Sequence, residues 1–241
     1  MTDVNSTERP LLLDLFCGIG GSSVGYYRAG FDVVGVDHAP QPQFPFPFFR
    51  MDALKFGVPE KINGRKVVAV HASPPCQKFV ALGKGMGHWK GFDHHPDLLY
   101  QTREMLEEQA KDVIWVIENV EGAPMFEAIT LCGSMFDLRI ERGYLQRHRK
   151  FESNLFELTG TPLMVPGPCQ HDKMVNSEGR SLRAIGVYGN GRGGSSLRDR
   201  TASAAEAREL MGIDWASRNG VTQAIPPAYT HYLGKQLLTV L

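Results

Sequence analysis

The sequence is short of cysteine, and the four it has (Cys17, Cys76, Cys132 and Cys169) form no CxxC pair and keep no regular spacing. In a chain of 241 residues this argues against a disulfide framework and for a reducing, cytoplasmic setting. A run of about 18 apolar residues is also missing, so no membrane-spanning helix is expected. The opening MTDVNSTERP lacks the apolar stretch of a secretory signal. Internal repeats are absent. So is an excess of one charge: 26 Lys and Arg stand against 26 Asp and Glu, whereas nucleic-acid binders usually show a basic balance. What remains is the composition of a globular domain. Hydrophobic residues make up 42% and charged residues 22%, enough apolar material for a sizeable core and too much for global disorder.

The apolar run Leu11 to Cys17 is too short for a helix and reads as a buried strand. Gly18, Gly20 and Gly21 follow, and Ser22 to Ala29 reads as a helix closed by Gly30. Phe31 to Val36 is a second strand ending in Asp37. Strand, glycine turn, helix and strand in so few residues open a parallel α/β sheet, whose strands are apolar throughout because helices cover both faces. The prolines of QPQFPFPFFR exclude a helix or a central strand there. Val67 to His71 is the next strand and runs into Ser73-Pro74-Pro75-Cys76. Val80 to His95 shows no period, and loops of that length are usually functional. Pro96 to Lys111 is helical, and Val113 to Ile117 is a strand ending in Glu118-Asn119. Residues 153–200 turn rich in proline and glycine and read as a small, loop-rich insert. It interrupts a main domain of residues 1–152 and 201–241. Thr201 to Met211 and the segment from Pro226-Pro227 onward read as the last helices.

Four places could carry chemistry. The glycine turn lets backbone approach a ligand at a helix N-terminus, and Asp37 stands where α/β folds bind a ribose, although CGIGG is not the dinucleotide pattern GxGxxG. Cys76 follows two prolines that stiffen the chain at a strand end. It is either a nucleophile whose proton a neighbour accepts or a small buried hydrophobe. Glu118 ends the buried run VIWVI, where partial desolvation raises a carboxyl pKa and suits it to sharing a proton. Arg147 and Arg149, if on a strand, share a face with His148 opposite, and two guanidiniums together suit a phosphate or a polarised carbonyl. Cys169 and His171 form a C-x-H pair without a second pair at ligand spacing, so no metal is expected. His88, His94 and His95 read as loop residues.

Taken in order, these pieces resemble the cytosine-C5 DNA methyltransferase family. Asp14-Leu-Phe-Cys-Gly-Ile-Gly-Gly21 is similar to its cofactor loop, Pro74-Pro-Cys-Gln77 to its catalytic loop, Glu118-Asn-Val120 to its third active-site motif and Gln146-Arg-His-Arg149 to its arginine motif. Leu131-Cys-Gly-Ser-Met-Phe136 and Ala205-Glu-Ala-Arg-Glu-Leu-Met-Gly212 also match. Ala224-Ile-Pro-Pro227, leading to Leu233-Gly234, resembles the closing motif that folds back on the cofactor site. The resemblance implies a Rossmann-like, S-adenosyl-L-methionine-dependent fold with residues 153–200 as target-recognition insert. It implies that the cytosine is flipped from double-stranded DNA, that Cys76 adds to its C6, that Glu118 holds N3, and that Arg149, with Arg147 in support, orients the base. The 80–95 loop would close over the flipped base. Phe16 would flank the adenine, Asp37 the ribose and Asp52 the adenine amino group, with Cys17, Gly18, Gly20, Gly21, His38, Ala53, Pro75, Gln223 and Ala224 completing the cofactor set. Gln77, Lys78, Arg192, Arg198 and Arg200 are the expected DNA contacts. A monomer of bacterial or phage origin, such as one serving restriction–modification, is the expected setting.

Some positions depart from the family pattern. Lys78, Phe79 and Val80 follow the catalytic Pro-Pro-Cys-Gln where a small residue, Phe and Ser are common, and Thr222-Gln223 replaces Gly-Asn. These leave room for a variant of S-adenosylmethionine that bears a different transferable group, and a non-catalytic DNA-binding relative is a further alternative. The Cys-Phe-Thr tripeptide of the tRNA-modifying branch is absent. A short insert implies a short target or relaxed specificity. The neutral total also resolves by segment. Residues 1–138 hold 12 basic against 17 acidic residues, a balance of −5, and residues 139–200 hold 11 against 6, a balance of +5. That asymmetry predicts a DNA-binding face on the arginine motif and insert.

Overall fold

The structure is a computed structural model, and it describes residues 8–75, 97–171, 173–187 and 201–241. The expected opening is present. β1 (Leu11–Leu15) leads through the glycine turn into α1 (Gly21–Ala29), and β2 (Asp32–Asp37) returns parallel to β1. Gly30 closes α1 at φ 132°, a value that favours glycine. Past the proline run, β3 (Phe48–Arg50) pairs with β2 at the sheet edge, the one place a strand so close to prolines fits. α2 (Ala53–Phe56), β4 (Lys61–Ile62), β5 (Arg65–Ala72), α3 (Leu98–Gln109) and β6 (Ile114–Asn119) follow. β7 (Ile129–Leu131), β8 (Arg139–Ile140), β9 (Gly143–Leu145) and β10 (Arg149–Ser153) complete the first part of the chain.

Among the described residues the main sheet has the order β3-β2-β1-β5-β6-β10-β7, with β4 paired to β5. The first five strands of that order are parallel, while β10 runs antiparallel to both β6 and β7. Helices cover both faces, as the apolar strands require. Leu13, Leu15, Val70 and Ile117 pack with Leu99 and Leu106 of α3 on one face. On the other face Leu12, Ala69 and Val116 pack with Tyr26 of α1 and with Tyr229, Leu233 and Leu237 of the last helix.

The later chain runs through α4 (Leu155–Thr159), β11 (Arg183–Ile185), α5 (Ala204–Met211), α6 (Arg218–Gln223) and α7 (Pro227–Leu238). α5 starts at a capping box formed by Ser203 and Glu206, which satisfies its first free N–H groups. The insert expected at 153–200 differs from expectation in one respect. Its strand β11 pairs with β9, and Ile185 and Val187 share a cluster with Ile140, Leu145, Leu210, Ile213 and Val221. This third apolar cluster thus draws on chain from both sides of the expected boundaries, because β11 has only three residues and must borrow a core.

Helices α1 and α7 lie close together, and glycine makes the approach possible. A Cβ on Gly25 would run into the Pro227 carbonyl oxygen and the Thr230 hydroxyl of α7, while one on Gly21 would run into the Ile225 carbonyl oxygen just before that helix. The Pro227 carbonyl cannot move without shifting α7. Gly25→Ala is therefore expected to lower stability by about 1–3 kcal/mol through overpacking, read as a lower urea midpoint with an unchanged slope. An unchanged midpoint would show that the two helices are not in contact in solution.

Candidate active site

Parallel strands end at a common edge, where α/β folds bind their ligands. Here β1 ends at Phe16 and the glycine turn, β2 at Asp37, β5 at Ser73-Pro74-Pro75 and β6 at Glu118-Asn119. Because β10 runs the other way, its first residue, Arg149, lies at this same edge. Phe151 pairs with Glu118, so Arg149, two residues earlier, projects from the face that carries Glu118. Arg149 Nε lies 2.9 Å from Glu118 Oε1, and Arg149 Nη1 donates to the His148 carbonyl at 2.8 Å. Burial raises the pKa of Glu118, while Arg149 and Arg147 draw it back down. Such a carboxyl can hold or share a proton with a bound base.

The chain leading to Cys76 is firmly anchored. Ser73 N–H donates to the Leu15 carbonyl at 3.1 Å and its hydroxyl to the Phe16 carbonyl at 3.2 Å. Asn119 Nδ2 donates to the Pro74 carbonyl at 3.1 Å, while Asn119 Oδ1 accepts from Val120 N–H at 2.9 Å. Pro74 is buried and Pro75 exposed. Cys76, Gln77, Lys78 and the 80–95 loop fall outside the described residues, as do Arg192, Arg198 and Arg200. Sequence reading took Ser73 and Asn119 as parts of motifs without giving them a role, and their function as ties between three strand ends needed the fold.

The expected cofactor residues gather at the ends of β1 and β2. Asp37 Oδ2 accepts from Gly18 N–H at 3.0 Å, and Oδ1 accepts from Ala39 N–H at 2.9 Å with the exposed His38 ring at 3.3 Å. Phe16 takes a φ of 57° at the turn and packs partly buried on the core. A Cβ on Gly18 would meet nothing within 4 Å, so the loop is open there. Gly20 differs, since a Cβ would press on the Phe44 ring at 2.9 Å, and Gly21 is held small by Ala224 and Ile225 of the closing motif. Cys17 is buried, and burial pushes its thiol pKa far up, so it is inert. Asp52 caps α2 by accepting from Leu54 N–H at 3.0 Å, while the Ala53 side chain lies in the core. Gln223 is exposed at the end of α6, and Ala224 is buried beside Gly21.

Arg147 departs from expectation. The residues before Arg149 are not strand: Gln146 N–H donates to Ile185 of β11, so the chain is crossing between sheets and strict alternation does not apply. The buried Arg147 guanidinium instead donates to the carbonyls of Val187 at 2.6 Å, Thr222 at 2.9 Å and Ala224 at 2.8 Å. The Arg147 carbonyl in turn accepts from the Tyr229 hydroxyl at 2.6 Å. Its role is to clamp the closing motif against the arginine motif. Other basic groups of this segment are also engaged: Arg139 pairs with Asp137, Arg142 with Glu206, and Arg180 with Glu178.

A Rossmann-like α/β sheet with an acid ending β2 and a buried carboxylate–guanidinium pair ending β6 defines the class. Residues 11–144 match the C-5 cytosine-specific DNA methylase family, and the chain belongs to that family, whose methyl donor is S-adenosylmethionine. Among curated relatives, the type II methyltransferase M.XorII of Xanthomonas oryzae pv. oryzae is 30% identical over 127 residues, covering 47% of this chain and 29% of that protein. M.HgiGI of Herpetosiphon aurantiacus is 35% identical over 82 residues, covering 30% of this chain and 64% of that one. The chain thus spans less than two thirds of the length of either. The solved structure of the S. pombe Dnmt2 methyltransferase shares the fold, with a TM-score of 0.60 at 13% identity over 97% of this chain and 99% of that chain.

Asp14 of the cofactor loop lies beneath this edge, paired across β1 and β5 with the equally buried His71. It is fully buried, and Oδ2 accepts from the Ser22 hydroxyl at 2.7 Å and from that of Ser23. Among the described residues Oδ1 has no partner. Burial pushes its pKa up to about 7 despite the two hydroxyls, with Asp37 and Glu118 adding to the rise. The unfolded chain releases this proton near pH 3.8 and the folded chain near 7. The unfolded state therefore binds fewer protons across that window, and stability falls as pH rises through it, by at most about 4 kcal/mol. His71, paired with Asp14 and pushed down to about 3 by burial, works the opposite way over nearly the same window. The test is therefore the difference between chains: in thermal melts between those two pH values wild type should lose stability relative to Asp14→Asn as pH rises. Parallel profiles would contradict the assignment.

Proposed function

We propose that this chain transfers a methyl group from S-adenosylmethionine to C5 of a cytosine in double-stranded DNA, with Cys76 as nucleophile and Glu118 and Arg149 as the groups that bind the base. The observation that carries the reading is the pair between buried Glu118 and half-buried Arg149 at the edge where the chain enters Pro74-Pro75. A neutral or proton-sharing carboxyl suits cytosine N3, and a guanidinium suits the adjacent O2. Arg149 has five N–H donors, which its bonds to Glu118 and His148 do not exhaust.

The residues present fit the donor. Each Asp37 oxygen accepts a backbone bond and keeps a lone pair for a ribose hydroxyl, and the open side of Gly18 leaves room for the chain of the ligand. Phe16 and Asp52 stand at the ends of neighbouring elements to meet the adenine. When bound, the sulfonium supplies an electrophilic methyl group. The target base must leave the duplex, since C5 and C6 are out of reach inside the stack. The Cys76 thiolate then adds to C6. Glu118 holds a proton at N3 and Arg149 faces O2, so the charge that develops on the ring is stabilised as it appears. C5 becomes the nucleophile toward the methyl group. Loss of the C5 proton expels Cys76 and restores the aromatic ring. The +5 balance of residues 139–200 favours a duplex on the side of the arginine motif and insert, with Arg192, Arg198 and Arg200 as contacts to phosphate.

Mass spectrometry of nucleosides from DNA incubated with the protein and S-adenosylmethionine tests this directly. 5-Methylcytosine should accumulate with the wild-type chain. Glu118→Gln should slow its formation by about 10²–10⁴-fold, the usual range for losing a proton-transfer group, while donor affinity stays nearly unchanged. Absence of the modified base would refute the activity. A loss of donor affinity in Glu118→Gln would refute the role of Glu118.

A further inference from the structure

Four side chains outside the proposed active site meet where three separate stretches of chain converge. Cys132 lies between β7 and the short 3₁₀ turn Gly133–Phe136, and His148 directly precedes β10. Cys169 and His171 come from the loop that follows α4, inside the insert. Cys132 Sγ lies 3.1 Å from His171 Nε2, and Cys169 Sγ lies 3.5 Å from His148 Nε2. All four ligand atoms lie within 4.8 Å of one another. Both cysteines are free thiols, Cys132 buried and Cys169 partly buried.

We propose that Cys132, His148, Cys169 and His171 form a closed zinc site that fastens the insert to the edge of the main sheet. Zinc bonds of about 2.3 Å to sulfur and about 2.0–2.1 Å to nitrogen put the corners of a tetrahedron about 3.3–3.8 Å apart. The two measured pairs already lie near that spacing. Two sulfurs and two imidazole nitrogens are the donor set that selects zinc among common divalent ions. Four protein ligands leave no open position, so the site is structural.

The outer shell is of the kind that orients metal ligands. His148 turns Nε2 toward the sulfur of Cys169 and Nδ1 toward Glu121 Oε2 at 3.6 Å, the arrangement of a carboxylate–histidine–metal relay. Ser134 Oγ donates to Cys132 Sγ at 3.6 Å and accepts from Gln170 N–H at 3.1 Å, so one hydroxyl touches both halves of the site. The Tyr144 ring stacks on His171 with centroids 5.9 Å apart. On binding, each thiol releases its proton to solvent, and two thiolates with two neutral imidazoles balance the dication. Linear spacing argued against a metal because the C-x-H pair of the insert has no partner pair nearby in sequence. The fold supplies Cys132 and His148 singly, from two different motifs. Because His148 stands between Arg147 and Arg149, the metal would also fix the arginine motif.

The test is metal content of the full chain, purified under reducing conditions, loaded with zinc and dialysed. The wild-type chain should retain about one zinc per chain. Cys169→Ala and His171→Ala should lose it, and Cys169→His, which keeps a ligand, should retain it. Replacing zinc with Co²⁺ in the wild-type chain should give intense ligand-field bands of a tetrahedral site with thiolate-to-cobalt charge transfer. That readout decides the matter if the alanine variants fail to fold by circular dichroism. A wild-type chain that holds no zinc, alanine variants that hold as much as wild type, or only the weak bands of six-coordinate cobalt would overturn the proposal.

Discussion

The antiparallel pairing of β10 on β6 sets the geometry on which the rest of the site depends. With Phe151 opposite Glu118, Arg149 must stand beside the carboxylate at the carboxyl edge of the sheet. A slip of one residue would send Arg149 to the other face and leave Glu118 buried without its cation. Removing one partner of a buried ion pair typically costs about 3–5 kcal/mol, so the register is energetically enforced. It is enforced from the other face too, where Glu152 on the same strand forms a two-pronged pair with Arg103 of α3 at 2.6 and 2.8 Å. The strand thus carries one ion pair on each face, a structural one toward α3 and one at the proposed active site.

Around that register the chain ties its motifs together by short polar contacts. Asn119, next to Glu118, reaches the Pro74 carbonyl, and Ser73 reaches the Phe16 carbonyl. Arg147 reaches the closing motif at Thr222 and Ala224, and α7 packs onto α1 at Gly25. Segments more than 200 residues apart in sequence are brought into contact in this way, as when Thr230 Oγ1 donates to the Ser22 carbonyl at 2.9 Å. The stretch that leads to Cys76 and the glycine loop after β1 are therefore held by the same framework.

Much of this was legible in the sequence because its signals are local. Apolar runs ending in glycine, in an acid or in a proline pair mark buried parallel strands, and β1, β2, β6 and β5 follow that rule. Gly30 and Gly212 close their helices as read. The strands β8, β9 and β11 have two or three residues each, too few to show a period, so the small sheet was invisible. Strand alternation does not describe Arg147, because the chain there crosses between sheets; its guanidinium bonds backbone carbonyls while still acting on Glu118 through space. The Cys132–His148–Cys169–His171 cluster was missed for a related reason: its ligands come from three elements, and only folding supplies their spacing. Segment charge was legible, but Arg139, Arg142, Arg147 and Arg149 all have partners within the chain. A positive balance therefore overstates the charge offered to DNA.

The central claim is that Cys76, which follows Pro75 in sequence, bonds covalently to the target base. Duplex DNA containing 5-fluorocytosine blocks loss of the C5 substituent and should trap the intermediate. In the presence of S-adenosylmethionine, intact-mass measurement should show a protein–DNA adduct whose modified peptide contains Cys76, and Cys76→Ser should abolish it. An adduct that persists undiminished in Cys76→Ser, or that maps to another residue, would contradict the account.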